Sequence, residues 1–147
     1  MKEEVILSIL PHKLREVFKR ENIDFQSIQE IRLRVGKPLI LLYKGSEVIP
    51  KVDGQIYHIT NEEIREMLDY ISGYSLYSYE REMSQGYITI EGGHRVGLSG
   101  QAIMENGKVK NLKYISSINV RMSHEILGCA DGLLPYVTFH RRLYHTL

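Results

Sequence analysis

Residues 28–35 constrain the backbone most tightly: Ile31, Leu33 and Val35 alternate with Glu30, Arg32 and Arg34. A period of two suits a strand with one wet face and does not suit a helix. Gly36-Lys37-Pro38 then makes a turn, 39–43 reads as a strand apolar on both faces, and Lys44-Gly45 turns into a short strand around Val48 and Ile49. The spacing predicts a small antiparallel meander over 28–50. The same period governs the second half. Residues 86–91 read as a strand, Gly92-Gly93 as a hairpin turn and 94–104 as the return strand. Asn106-Gly107 is a type I′ turn signal. Beyond it come a strand through Val109 and Leu112 and another over 114–122, which completes an antiparallel sheet across 86–122.

Helical spacing fills the intervals. Residues 1–22 read as helix divided by Pro11, whose missing N–H places it at the first turn of a second helix. Leu14, Val17 and Phe18 form the inward stripe of that helix. Over 60–84 two helices are expected. Thr60 and Glu63 form a capping box, Ile64, Met67, Leu68 and Ile71 the buried stripe, and Gly73 the stop. The second, about 75–84, carries Leu76, Tyr79 and Met83 inward, and 128–137 reads as a short helix closed near Pro135. The fold class is therefore α+β, an antiparallel sheet with flanking helices.

Composition excludes several function classes. A chain of 147 residues with 43% hydrophobic side chains suits one packed domain and not a disordered tail. The N-terminus opens on acids and does not read as a secretory signal, and no apolar run approaches the ~18 residues of a membrane span. The single Cys129 leaves no internal disulfide and fits a reducing cytoplasm. Nineteen basic against eighteen acidic side chains, a formal +1, argues against a dedicated nucleic-acid binder. The balance is uneven: residues 1–85 carry twelve basic and fourteen acidic groups, residues 86–147 seven and four, with His94, His124, His140 and His145.

Motif by motif, self-contained chemistry is not spelled out. The run Gly92-Gly93-His94-Arg95-Val96-Gly97-Leu98-Ser99-Gly100 invites a phosphate-cradle reading, but neither the dinucleotide fingerprint nor a P-loop is present, and both Gly-Lys pairs fall in turns. Gly97 and Gly100 instead fit a bulge or close backbone packing. The histidines show no metal-ligand spacing, and Ser99 is not in a nucleophile elbow. Tyr70, Tyr74, Tyr77, Tyr79 and Tyr87 could stack on single-stranded nucleic acid, but Glu66, Asp69, Glu80 and Glu82 surround them, and closing the core edge is the better reading. More informative are Arg32, Arg34, Arg95 and Arg121, all on predicted strands. There, guanidinium forks meet carboxylates or phosphates across an interface.

Three ordered stretches carry a family resemblance: 30–39 (EIRLRVGKPL), 86–100 (GYITIEGGHRVGLSG) and 116–121 (SSINVR). They resemble the amino-terminal domain of the stage III sporulation protein AA family, relatives of the ATPases of type II and type IV secretion. The resemblance implies a PAS-like α+β assembly and coupling domain over 1–137, preceding a RecA-like motor whose first strand 138–147 would begin. It implies no cofactor and no catalytic or metal-binding residue in this stretch, with ATP and magnesium belonging to the full-length protein, a cytoplasmic ATPase of the mother cell. The expected partners are the protein's own ATPase domain, neighbouring subunits of a ring expected to be hexameric, and a membrane component of the mother cell–forespore channel. By motif position Arg95 and Arg121 are the candidate contacts to the motor's nucleotide, and Arg32 and Arg34 join them as interface candidates. A nucleic-acid-binding module, built on the basic C-terminal half and the tyrosines, is the alternative.

Overall fold

The computed structural model describes residues 2–73, 79–139 and 142–143. Two short helices open the chain, α1 (Lys2–Ile9) and α2 (His12–Arg20). Pro11 lies just outside α2 as its N-cap, with φ −54° and ψ 144°, rather than inside the first turn. Its ring disfavours helical backbone for Leu10, so α1 has to stop there. Arg15 reaches back and donates to the carbonyls of Leu10 (2.7 Å) and Ser8 (2.8 Å), covering acceptors that the end of α1 leaves open. Leu14, Val17 and Phe18 are buried as the spacing requires.

Strands β1 (Ile28–Arg34), β2 (Ile40–Tyr43) and β3 (Ser46–Val48) form the expected meander. An additional small hairpin, β4 (Lys51–Val52) and β5 (Gln55–Ile56), follows it around Asp53-Gly54. α3 (Asn61–Ser72) starts on the Thr60–Glu63 capping box and ends at Gly73, whose φ of +56° is the left-handed stop that glycine adopts without strain. α4 is described over Glu80–Ser84, with Met83 buried and Tyr79 packed on the core. Leu76 and the start expected for this helix at residue 75 lie outside the described residues.

β6 (Tyr87–Thr89), β7 (Arg95–Glu105) and β8 (Lys108–Arg121) complete a six-stranded antiparallel sheet in the order β3-β2-β1-β8-β7-β6. Asn106 and Gly107 turn β7 into β8 with φ of +50° and +74°, as a type I′ turn demands. The two strands expected over 109–122 are one, β8, kinked but unbroken. Opposite Gly100 the register steps from Ser99↔Ser117 to Gln101↔Lys113, so β8 absorbs the extra residues as a bulge, with Tyr114 at φ +48°. A Cβ on Gly100 would stand 2.5 Å from the Lys113 carbonyl, so only glycine fits that close approach. The helix expected over 128–137 shrinks to α5 (Leu134–Val137), and Pro135 opens it rather than closing it, since a ring without an N–H belongs in a first turn. β9 (Thr138–Phe139) then pairs with β10 (Arg142–Leu143). His140, and the expected motor strand at 144–147 with His145, lie outside the described residues.

α1 packs on α3, and α3 and α4 pack on β8, so the helices cover one face of the sheet. Ile31 and Leu33 on β1, Val96 and Leu98 on β7, and Ile118 and Val120 on β8 fill the layer between, nearly all fully buried. Each such side chain stabilises the fold by roughly 1.5–3 kcal/mol. No helix among the described residues is long and apolar enough to cross a membrane.

Candidate functional site

Among the described residues, the helices that pack on the sheet, α3 and α4, lie on one side of it, and alternation places every sequence-selected arginine on the other. A bulge at Gln29, between the rungs Ile28↔Tyr43 and Glu30↔Leu42, lets Ile28 and Ile31 both reach the core while Glu30, Arg32 and Arg34 turn to the open side. From there the rungs run straight across three strands. Glu30 sits opposite Arg121, and Arg121 opposite Arg95. One rung further, Arg32 sits opposite Asn119 and Asn119 opposite Gly97; next come Arg34, Ser117 and Ser99.

Glu30 is the hub, and the sequence reading passed over it. It is only 8% exposed on a face expected to be wet, because the arginines lie over it. Its carboxylate accepts from Nε of Arg32 and stands 3.6 Å from Nε of Arg121. Arg32 also reaches Glu47 of β3 at 2.5 Å. The Glu30 carboxylate, and after it that of Glu47, hold the Arg32 guanidinium above its ordinary pKa. The signal was there in principle, since Glu30 and Arg32 are two apart on one strand and so share a face.

Arg95 has a different neighbour. Its guanidinium lies over the Tyr87 ring, 4.7 Å from the centroid, a cation–π contact that fixes the side chain without neutralising it. Asn119 Oδ1 is enclosed at the centre of the face and accepts no hydrogen bond among the described residues. Arg34 is exposed at the outer rung.

His94, grouped by sequence with the basic half, is instead 1% exposed, and its Nδ1 accepts the Ser123 N–H at 2.9 Å. That bond ties the turn before β7 to the chain leaving β8, which sets the ends of the two strands that carry Arg95 and Arg121. The described tyrosines of the cluster, Tyr70, Tyr79 and Tyr87, do not assemble into a platform. Tyr87 lies under Arg95, Tyr70 donates to Glu66 on α3, and Tyr79 packs on the core; Tyr74 and Tyr77 lie outside the described residues. Among the described residues, no group of three or more His, Cys, Asp or Glu converges as a metal site would require.

The chain is thus an α+β domain with helices on one side of its sheet and four arginines on the other. The chain belongs to the family described as "Sporulation stage III, protein AA", whose model it matches over residues 1–147. It is 39% identical over 134 residues to "Stage III sporulation protein AA" of Bacillus subtilis (strain 168), a match covering 91% of this chain and 41% of that protein. The chain therefore spans well under half the length of that relative. Among solved structures it is similar to the Legionella pneumophila ATPase DotB, with a TM-score of 0.42 and 13% identity over 76% of this chain and 28% of that one. It is also similar to the VirB11 ATPase of the Brucella suis type IV secretion system in complex with sulphate, with a TM-score of 0.44 and 11% identity over 90% of this chain and 36% of that one.

Proposed function

We propose that this chain is the non-catalytic assembly and coupling domain of a secretion-type sporulation ATPase, and that its open arginine face meets the nucleotide-bearing motor. The observation that carries this reading is the Arg95–Arg121 rung. The two arginines are Cα partners on central strands, Arg121 held through Nε by Glu30 on the β1 side and Arg95 over the Tyr87 ring on the β6 side, and both are exposed. Such a pair fits the oxygens of a terminal phosphate, each fork donating two parallel N–H groups. Magnesium and the remainder of an ATP molecule are assigned to the motor, because the Glu30 and Glu47 carboxylates of this face are already engaged by arginines.

In this reading the chain's own residues do three things. Arg95 and Arg121 donate to developing negative charge on the phosphate, Glu30 and Tyr87 hold them in place, and Arg32 and Arg34 extend the contact surface toward the motor or a neighbouring subunit of a hexameric ring. The protein works in the mother-cell cytoplasm, at the membrane component of the channel to the forespore. ATP turnover of the full-length protein tests the proposal. Arg95→Ala and Arg121→Ala should each lower kcat by about tenfold or more with the folded domain intact, and unchanged turnover in both would overturn it.

A further inference from the structure

Arg95 and Arg121 form the last rung of the β7–β8 ladder. The end of a ladder opens most readily, and this one also carries two like charges opposite each other. Past it, no backbone hydrogen bond among the described residues joins the two chains. A side chain joins them instead. His94, adjacent to Arg95 and 1% exposed, accepts the N–H of Ser123, two residues beyond Arg121, on Nδ1 at 2.9 Å. A ring nitrogen accepts only when it is bare, so the proton of this imidazole sits on Nε2.

The glycines of the Gly92-Gly93-His94 run shape the turn to that ring. Gly92 has φ +81°, and a Cβ on it would stand 2.9 Å from His94 Nε2. Any other residue there would strain the backbone and push the imidazole off Ser123. Gly93, at φ +76°, lies against Ser123 itself, where a Cβ would stand 3.5 Å from Oγ. The backbone of His94 is held as well, since its carbonyl accepts the Ile90 N–H at 2.9 Å. The exit from β8 is stitched on its other flank to β1. Met122 donates its N–H to the Gln29 carbonyl at 2.9 Å, and His124 Nε2 lies 2.5 Å from the Ile28 carbonyl. Residues 122–124 are thus fastened alternately to β1 and to the turn before β7.

We infer that His94 is a positioning residue: by holding Ser123 through Nδ1 it fixes the spacing of the Arg95 and Arg121 guanidinium groups against their mutual repulsion. The inference rests on reading the arginine face as the contact to the motor's nucleotide. Glu30 and Tyr87 orient the two side chains, whereas His94 holds the two backbones from which they project. Forks displaced by about 1 Å no longer serve the same phosphate oxygens, and the loss falls on the chemical step. ATP binding itself, assigned to the motor, is left nearly unchanged.

Two substitutions separate the acceptor on the ring from its bulk. The side-chain oxygen of asparagine can occupy the place of Nδ1, and that of glutamine the place of Nε2. In full-length protein, His94→Asn should keep kcat within about threefold of wild type, while His94→Gln should lower it about tenfold or more with KM for ATP little changed. Gly92→Ala, at an exposed position, displaces the ring without altering it and should resemble His94→Gln. Nuclear magnetic resonance of the 147-residue chain reads the same device without turnover. Wild type should show the Nε2–H tautomer of His94 and a Ser123 amide protected from exchange. The Nε–H signals of Arg95 and Arg121 should persist in His94→Asn and shift in His94→Gln and Gly92→Ala. Arg95→Ala and Arg121→Ala are the reference. If they lower turnover while His94→Asn and His94→Gln behave alike, the inference falls and the reading of the arginine face stands. If they leave turnover unchanged, that reading falls and the inference falls with it, whatever the His94 variants do. A wild-type His94 protonated on Nδ1, or an unprotected Ser123 amide, overturns the inference even where every variant fails to fold.

Discussion

Arg95 and Arg121 occupy one rung of the β7–β8 ladder, side by side on the open face. Like charges directly opposite each other destabilise a sheet by several tenths of a kcal/mol up to about 1 kcal/mol. The fold tolerates the pair because Glu30 takes one guanidinium and Tyr87 the other. A pair kept at a cost to stability is intelligible if the two forks act together on something outside the domain.

Removing Glu30 exposes that cost. Glu30→Ala should lower the melting temperature of the isolated chain by a few degrees, consistent with about 1 kcal/mol in a domain of this size. Raising the salt concentration should restore part of the loss by screening the arginines from one another. Thermal unfolding followed by circular dichroism at low and high salt measures both.

Two glycines three residues apart should respond differently. A Cβ at Gly100 would collide with the Lys113 carbonyl at 2.5 Å, whereas at Gly97 the nearest atom would be 3.7 Å away in ordinary contact. Gly100→Ala should therefore cost about 1–3 kcal/mol, and Gly97→Ala should be close to neutral. Urea unfolding of the two variants decides it.

Much of this architecture was legible in the sequence because local chemistry and global fold agree there. The Thr60–Glu63 box, the stop at Gly73, the Asn106-Gly107 turn and the alternation over 30–34 each carry their own geometry. The spacing of Gly97 and Gly100 suits a bulge or close backbone packing, and Gly100 is where both occur. What failed depended on distant partners. The unbroken β8 follows from pairing with β7 across a bulge, which period alone cannot show. Glu30 looks like any strand-face carboxylate until β8 brings Arg121 beside it, and His94 looks basic until Ser123 closes over it. The four arginines were individually ambiguous. Only the strand order β1-β8-β7 makes them neighbours.

The helix layer has its own charge latch. The Glu66 carboxylate accepts from the His12 backbone N–H and ring at 3.0 Å each and from the Tyr70 hydroxyl at 2.8 Å. Burial pushes its pKa up, but these hydrogen bonds outweigh burial and hold it below its ordinary value of 4.5. A carboxylate depressed in the folded state stabilises above its unfolded pKa, and that stability is lost as pH falls through the folded value. Glu66→Gln should thus flatten the acid side of the stability profile below about pH 4.5. Urea midpoints measured across pH 2.5–7 check this, on the order of one proton per molecule being the most that can change.

The capping box should be worth more than its helix. Glu63 Oε2 accepts the Thr60 N–H at 2.8 Å while Oε1 accepts the Tyr57 hydroxyl at 2.5 Å, and burial together with this carboxylate pushes the Tyr57 pKa up. Thr60→Ala removes one cap acceptor and should cost about 1 kcal/mol. Glu63→Ala takes the acceptor from three donors, the Thr60 N–H and hydroxyl and the half-buried Tyr57 hydroxyl, and should cost about 2–3 kcal/mol. Denaturant titration of both variants orders them.

The claim that the open arginine face meets a nucleotide-bearing motor is tested most directly by placing a thiol on it. Ser99 shares that face with the arginines, one rung beyond Gly97 and Asn119, and is exposed. In full-length protein carrying Ser99→Cys, alkylation read at that residue by mass spectrometry should slow by about fivefold or more when a non-hydrolysable ATP analogue is added, because the motor closes over the face. An alkylation rate that stays the same with and without the analogue, at saturating nucleotide, would contradict the account.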